Sequence, residues 1–294
     1  MRWKKVTLVG VGLLGGSLGK ALRERHLADW VVGFVRRAVS VQECQKAGAV
    51  DLATQDLLKA VEEAELIVLC TPIAQMKPLV IEMLPALQPA AVVTDVGSVK
   101  ASLVKELEGP IAKAGAHFIG SHPMAGAEKM GVAAANSRLF HNAVCIITPT
   151  RNSHKPALRR VEQLWRTVGS RVLRLAPEAH DALVSRSSHL PHVVAAELSN
   201  YVLGPGSSVN QELLCANGFR DTTRIASGSP EMWRDIALAN REKLLVALGG
   251  FLNDLNSFKR VLKNGDAKAI SRFFENAKQR RDRWARKMRT PSPE

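Results

Sequence analysis

The stretch Val9-Gly10-Val11-Gly12-Leu13-Leu14-Gly15 restricts the fold of this chain more than any other. It follows an apolar, β-rich run that starts at Lys5, and it opens a helical pattern reaching about Arg25. A strand that ends in G-x-G-x-x-G and hands over to a helix is the first unit of a dinucleotide-binding βαβ fold. The first glycine permits the tight turn, the second lets the backbone approach a pyrophosphate, and the third lets helix and strand pack closely. Free N–H groups at the start of the helix then point at the anion. Gly10, Gly12, Leu13, Leu14 and Gly15 are the expected contacts.

The sequence downstream repeats the theme. Apolar strand patterns at Trp30–Val35, Leu66–Cys70, Ala91–Asp95, His117–Ile119, Ala143–Thr148 and Arg171–Leu175 alternate with helical patterns. Strands this continuously apolar imply a parallel sheet covered on both faces, a Rossmann-type doubly wound α/β layer. From about Pro177 the strand signal stops and long helical patterns take over, at Ala179–Leu203, Glu231–Asn264 and Ala267–Met288. Gly204-Pro205-Gly206-Ser207-Ser208 ends the first of them. The expected division is a dinucleotide-binding domain over 1–176 and an all-helical domain over 177–294. With 294 residues, 46% of them hydrophobic, the chain can bury a core in each.

The start of the sequence lacks the long apolar region of a secretory signal, and no apolar run is long enough to span a membrane. A cytoplasmic protein is the expectation. Four cysteines, none in a C-x-x-C pair, point to free thiols rather than to zinc or disulfides, and no metal is expected. The net charge of +14 is concentrated after Lys259, in segments such as Arg280-Arg281-Asp282-Arg283. Phe273, Phe274, Ala277 and Trp284 recur there at helical spacing, so a solvated helix face is expected rather than a nucleic-acid site.

The second strand bears on the choice of cofactor. Where NAD is used, that strand ends in a carboxylate that holds the ribose hydroxyls. Here it reads Val32-Gly33-Phe34-Val35-Arg36-Arg37, with Val35 at the acidic position. Guanidinium groups at Arg36 and Arg37 pair well with a 2′-phosphate, which favours NADP over NAD. The alternative is that both arginines stack on adenine or face solvent. Thr71 and Pro72, following the third strand, join the cofactor residues.

Four further clusters carry chemistry. Thr94-Asp95-Val96-Gly97-Ser98-Val99-Lys100 lies at a strand's carboxyl end, where open α/β sheets hold ligands. Gly120-Ser121-His122-Pro123-Met124-Ala125-Gly126-Ala127-Glu128-Lys129 brings a histidine to the same edge. Ser188-His189-Leu190-Pro191-His192 and Phe219-Arg220-Asp221-Thr222-Thr223-Arg224-Ile225-Ala226, followed by Met232-Trp233-Arg234-Asp235, sit in the helical part.

In combination, order and spacing these segments resemble the prephenate/arogenate dehydrogenase family over nearly the whole chain. The resemblance implies a Rossmann-type domain, a helical dimerisation domain, a homodimer, and oxidative decarboxylation of a dicarboxylate in tyrosine biosynthesis. It makes His122 the catalytic histidine that bonds the ring hydroxyl, with Ser98 beside it and the nicotinamide. Arg224 becomes the substrate-binding arginine, His189 a second histidine that binds substrate, and Asp221, Glu128 and Trp233 parts of the pocket wall. Asp221 is equally well read as an ion-pair partner of Arg220 or Arg224. The remaining histidines, His180 and His192 among them, read as structural or exposed.

A histidine near its ordinary pKa of about 6.5 suits removal of a hydroxyl proton while hydride leaves. Prephenate is favoured as substrate. Arogenate, with an ammonium in place of the keto group, stays open, and Glu128 is the acid that would favour it. Two rivals stand further off. A β-hydroxyacid dehydrogenase relies on a lysine in the first long helix, and Ala179–Leu203 contains none. A dinucleotide-sensing regulator without turnover would need no base at the nicotinamide.

Overall fold

The structure, a computed structural model, describes residues 2–126 and 130–289. Among the described residues eight strands form one sheet: β1 Trp3–Val9, β2 Ala28–Phe34, β3 Leu52–Thr54, β4 Leu66–Leu69, β5 Val92–Asp95, β6 His117–Pro123, β7 Val144–Thr148 and β8 Arg171–Arg174. Their order is β3-β2-β1-β4-β5-β6-β7-β8. Among them run α1 Leu13–Glu24, α2 Ala38–Lys46, α3 Leu57–Val61, α4 Ile73–Met83, α5 Ala101–Lys113 and α6 Lys155–Thr167. The rest of the described chain is helical: α7 Pro177–Val184, α8 Leu190–Leu203, α9 Val209–Leu213, α10 Asn217–Thr223, α11 Pro230–Ala239, α12 Arg241–Lys263 and α13 Ala267–Arg289.

Alternate residues of the central strands feed two separate cores, as a sheet covered on both faces requires. Val6 and Leu8 of β1, with Leu66 and Val68 of β4, join Leu18, Leu22 and Trp165 on one face. Val9, Ile67 and Leu69 join Met76, Val80 and Leu107 on the other. Complete burial of each such side chain contributes about 1.5–3 kcal/mol, so both faces are fixed and a one-residue register slip in β1 or β4 would be costly.

Four features depart from the sequence expectation. The sheet is mostly parallel, but β7 runs antiparallel to β6, pairing Ser121 with Ile147 and His122 with Ile146. Periodicity cannot report strand direction, because an antiparallel strand buried on both faces is as apolar as a parallel one. The short β3 was missed because Leu52-Ala53-Thr54 lies between polar residues and is extended by its pairing with β2. The helix expected over Ala179–Leu203 contains a π turn at Ser185–His189. Pro191, at the start of α8, has no N–H to donate back along the helix, and the wider turn is one way to absorb that gap. The helix expected over Glu231–Asn264 breaks at Asn240, whose buried side chain is engaged elsewhere.

By internal packing the chain divides into Met1–Leu244 and Leu245–Glu294. In the second unit Phe258 stacks near Phe273, ring centroids 4.4 Å apart, while Leu252, Leu255, Leu262, Phe274 and Trp284 remain substantially exposed. Within it Lys278 pairs with Asp282 at 3.2 Å. No helix among the described residues is long and apolar enough to cross a membrane.

Candidate active site

The cofactor end of the first unit is shaped by glycines. Gly10 takes φ +96, and a Cβ there would lie 2.9 Å from the Thr71 methyl and 3.1 Å from the Cys70 backbone. A Cβ on Gly15 would lie 2.1 Å from the Gly10 carbonyl oxygen, so only glycine lets α1 sit this close to β1. At Gly12 a Cβ would meet nothing within 4 Å, leaving open space beside the uncapped first turn of α1 at Leu13 and Leu14. Thr71 Oγ1 is buried without a hydrogen-bond partner, at the mouth of the same loop and next to exposed Pro72. An open backbone approach, free helix N–H groups and an orphaned hydroxyl fit a bound dinucleotide phosphate.

At the end of β2, Val35 is 6% exposed and belongs to the core. Arg36 and Arg37 follow, both exposed. The Arg37 guanidinium lies 3.9 Å from Glu43, a distance that holds little in water. Arg36 contributes its carbonyl to Gln55 at 2.7 Å, while its side chain has no hydrogen bond or ion pair among the described residues.

The edge formed by β5 and β6 is held by buried polar groups. Lys100, fully buried, pairs with Asp95 and donates to the Ser121 carbonyl at 2.9 Å. Asp95 also accepts from the Ser121 backbone at 3.0 Å and from that of Gly97 at 2.8 Å. Burial raises Asp95 and lowers Lys100, and in each case the partner's charge opposes the shift. The Ser121 hydroxyl accepts from the Trp165 indole at 3.1 Å, so the strand end carrying His122 is tied to α6 as well.

His122 is 7% exposed, and its Nδ1 lies 2.8 Å from Nε2 of His180, a fully buried residue of α7. His180 Nδ1 lies 2.7 Å from Asp181 Oδ1. Asp181 in turn accepts from the backbone N–H groups of Lys100 at 2.8 Å and Ala101 at 2.9 Å, at the start of α5. Burial is the main cause that pushes His122 well below its ordinary pKa, and His180, Lys100 and His189 add to it. His122 is therefore neutral here and able to accept a proton.

His189 stands inside the π turn, 1% exposed. Asn240 donates to the Asp181 carbonyl at 3.0 Å and lies 3.1 Å from His189 Nδ1, which accounts for the break between α11 and α12. His189 Nε2 is buried and makes no hydrogen bond of normal geometry, although the Ser98 backbone lies close enough to favour its charged form. Burial dominates and pushes His189 down to about 4, with Asp181 opposing. Trp233 meets His189 edge-on at 6.2 Å and stacks on His192 at 3.7 Å.

The structure thus gathers His122, His189, Trp233 and the Ser98 backbone around His180, which the sequence reads as structural or exposed, and around Asp181, Asn240 and Lys100, to which it assigns no role. His180 and Asp181 had a legible signal. With Pro177 and Val184 they form the buried stripe of α7 at i, i+3, i+4 and i+7, where a polar pair requires a partner. Arg224 and Asp221 lie on α10 and the following 3-10 turn, segments packed against α8, and both are exposed. Arg220 donates to Asn217 at 2.7 Å. Glu128 lies outside the described residues.

An open α/β sheet with a glycine-loop nucleotide site, joined to a helical segment that supplies histidines at the sheet's carboxyl edge, defines a nucleotide-dependent oxidoreductase class. Two family models match the chain, the prephenate dehydrogenase nucleotide-binding domain over residues 18–174 and the prephenate dehydrogenase dimerization domain over residues 176–276. A prephenate dehydrogenase of Bacillus subtilis is 34% identical over 282 residues, covering 94% of this chain and 75% of that protein. The prephenate dehydrogenase of Aquifex aeolicus, solved with hydroxyphenyl propionate and NAD+, superposes with a TM-score of 0.90 at 32% identity, covering 96% and 99% of the two chains. An arogenate dehydrogenase from Synechocystis is 32% identical with a TM-score of 0.79, covering 95% and 99%. The chain belongs to the prephenate dehydrogenase family.

Proposed function

We propose that this chain oxidises and decarboxylates prephenate to 4-hydroxyphenylpyruvate with a pyridine nucleotide, NADP favoured over NAD. The observation that carries this reading is His122, a buried histidine at the carboxyl end of β6 whose Nδ1 is engaged by His180, so that Nε2 is the ring atom that would meet substrate. Gly10, Gly12, Leu13, Leu14, Gly15, Thr71 and Pro72 hold the dinucleotide, with Arg36 and Arg37 at its adenosine end. The nicotinamide supplies the hydride acceptor.

His122 Nε2 accepts the ring hydroxyl proton while hydride leaves the carbon bearing that hydroxyl, giving a dienone. Carbon dioxide then departs from the opposite ring carbon, and the electron pair it leaves behind restores aromaticity. Ser98, whose backbone lies against His189, would line the space between the base and a bound nicotinamide. Arg224 takes a substrate carboxylate, and His189, Asp221 and Trp233 contribute to the wall. Residues 1–176 act as the dinucleotide-binding domain, and 177–294 as the substrate and dimerisation domain of a homodimer. Tyr201, Val209, Leu213 and Leu214, all more than 70% exposed, are apolar surface that a second copy would cover.

Arogenate is the second reading, supported by the likeness to the Synechocystis enzyme. The test is the absorbance of reduced nicotinamide after mixing protein with prephenate or arogenate and each cofactor in turn. Turnover with prephenate and NADP is expected. Turnover with arogenate alone would move the substrate assignment, and none with either would remove it.

A further inference from the structure

We propose that His180 and Asp181 form a relay behind His122, fixing the proton on His122 Nδ1 so that Nε2 always faces the substrate as a bare acceptor. The inference rests on the reading of His122 as the base, and it adds two positioning residues to it. The chain of atoms is His122 Nδ1 to His180 Nε2 at 2.8 Å, then His180 Nδ1 to Asp181 Oδ1 at 2.7 Å.

The direction of every bond follows from Asp181. A carboxylate only accepts, and Asp181 already takes the N–H groups of Lys100 and Ala101. The third contact must therefore be N–H donated by His180 Nδ1. A neutral imidazole with its hydrogen on Nδ1 has a lone pair on Nε2, so His180 Nε2 accepts, and the donor facing it is His122 Nδ1–H. One lone pair remains, on His122 Nε2. An unsupported histidine would divide its population between two tautomers, one of which presents N–H to the substrate hydroxyl and cannot take its proton.

The relay also meets an electrostatic need. Burial, any charge on His180, Lys100 and His189 all disfavour a positive charge on His122, so the charge that the reaction places there is tolerated only while His180 stays a neutral acceptor. A neutral acceptor backed by a carboxylate is the arrangement that stabilises such an imidazolium, with the shared protons staying on their own nitrogens. The brace is rigid. Asp181 is clamped at the start of α5, Asn240 holds its backbone carbonyl, and His180 is fully buried. The titratable groups around His122 and His180 are Lys100, Asp95, Asp181 and Cys145, with His189 of the π turn beside them. Reversal of the chain would turn His122 Nε2 into a donor and leave no acceptor for the hydroxyl proton.

The experiment combines nitrogen-15 NMR of the histidine rings with steady-state kinetics. His122 resonances are assigned by their loss in His122→Asn, at a pH well above the ordinary histidine range. In the wild type His122 is expected as the Nδ1–H tautomer, and an Nε2–H tautomer there overturns the relay whatever the kinetics. His180→Phe removes the acceptor, and kcat is expected to fall about tenfold to hundredfold, with dinucleotide affinity unchanged and the tautomer signature lost. His180→Gln, whose carbonyl can still accept from His122, is expected to recover most of both. His180→Phe with wild-type kcat and an intact signature overturns the proposal. If that variant does not fold, His180→Gln decides alone, and an Nε2–H tautomer in it also overturns the proposal. Wild-type turnover in His122→Asn would instead sink the reading of His122 as the base, which separates the two failures.

Discussion

Two parts of the candidate site differ in kind. Around His122 the polar groups are buried and bonded to one another, with His180 fully buried and Asp181 2% exposed. Around Arg224 and Asp221 the side chains are exposed, on short helical segments laid against α8. A base whose tautomer matters gains from a dry and rigid setting, where each bond is stronger and an unmet one is costly. An anchor for a carboxylate must stay accessible until substrate arrives. The contrast predicts that changes in the buried part lower kcat, whereas changes in the exposed part raise KM.

The largest effect is expected from His122→Asn, which should fold and bind dinucleotide while turnover drops about a hundredfold or more. A normal turnover number would erase the contrast at its buried end. The pH dependence of stability probes the same region without any substrate. His189, lowered to about 4 by burial, binds a proton more readily in the unfolded chain, near the ordinary pKa of about 6.5. Its contribution is thus intact above that ordinary value and is lost as pH falls from there toward 4, by about 3 kcal/mol in all. Denaturant titrations at a series of pH values should show this slope in the wild type and a shallower one in His189→Gln. Equal slopes in both would mean that His189 is more hydrated than its burial implies.

Much of this could be read before the fold was known. The glycine loop, the alternation of apolar strands with helices and the position of His122 at a strand's end are local patterns, each set by a few neighbouring residues. What stayed hidden depends on partners distant in sequence. Asn240 stops a helix because it reaches Asp181 and His189, and no periodicity encodes that. The buried stripe of α7 shows that His180 and Asp181 need a partner, but not that the partner is His122, 58 positions earlier. The antiparallel β7 escaped for the related reason that strand direction is a property of the sheet.

At the exposed end, Arg224→Ala should raise KM for substrate roughly tenfold to hundredfold, the equivalent of about 1.4–2.8 kcal/mol, with kcat little changed. An unmoved KM would shift the anchor to another cation, Arg220 first. The smallest effect concerns the cofactor. Arg36, whose side chain is exposed, should give the wild type about a tenfold preference for NADP, as one charge-assisted bond would. Arg36→Ala should remove that preference, and Val35→Asp combined with Arg36→Ala should reverse it, measured as kcat/KM at fixed salt because exposed charges are screened. A wild type that prefers NAD would place both arginines in solvent or on the adenine.

The most direct test of the contrast is one set of substrate titrations on wild type, His122→Asn and Arg224→Ala, followed by reduced-nicotinamide absorbance with prephenate and saturating NADP. The expected result is a fall in kcat at near-constant KM for His122→Asn, and a rise in KM at near-constant kcat for Arg224→Ala. The same kinetic parameter moving in both variants, or the two effects exchanged, would contradict the division between a buried base and an exposed anchor.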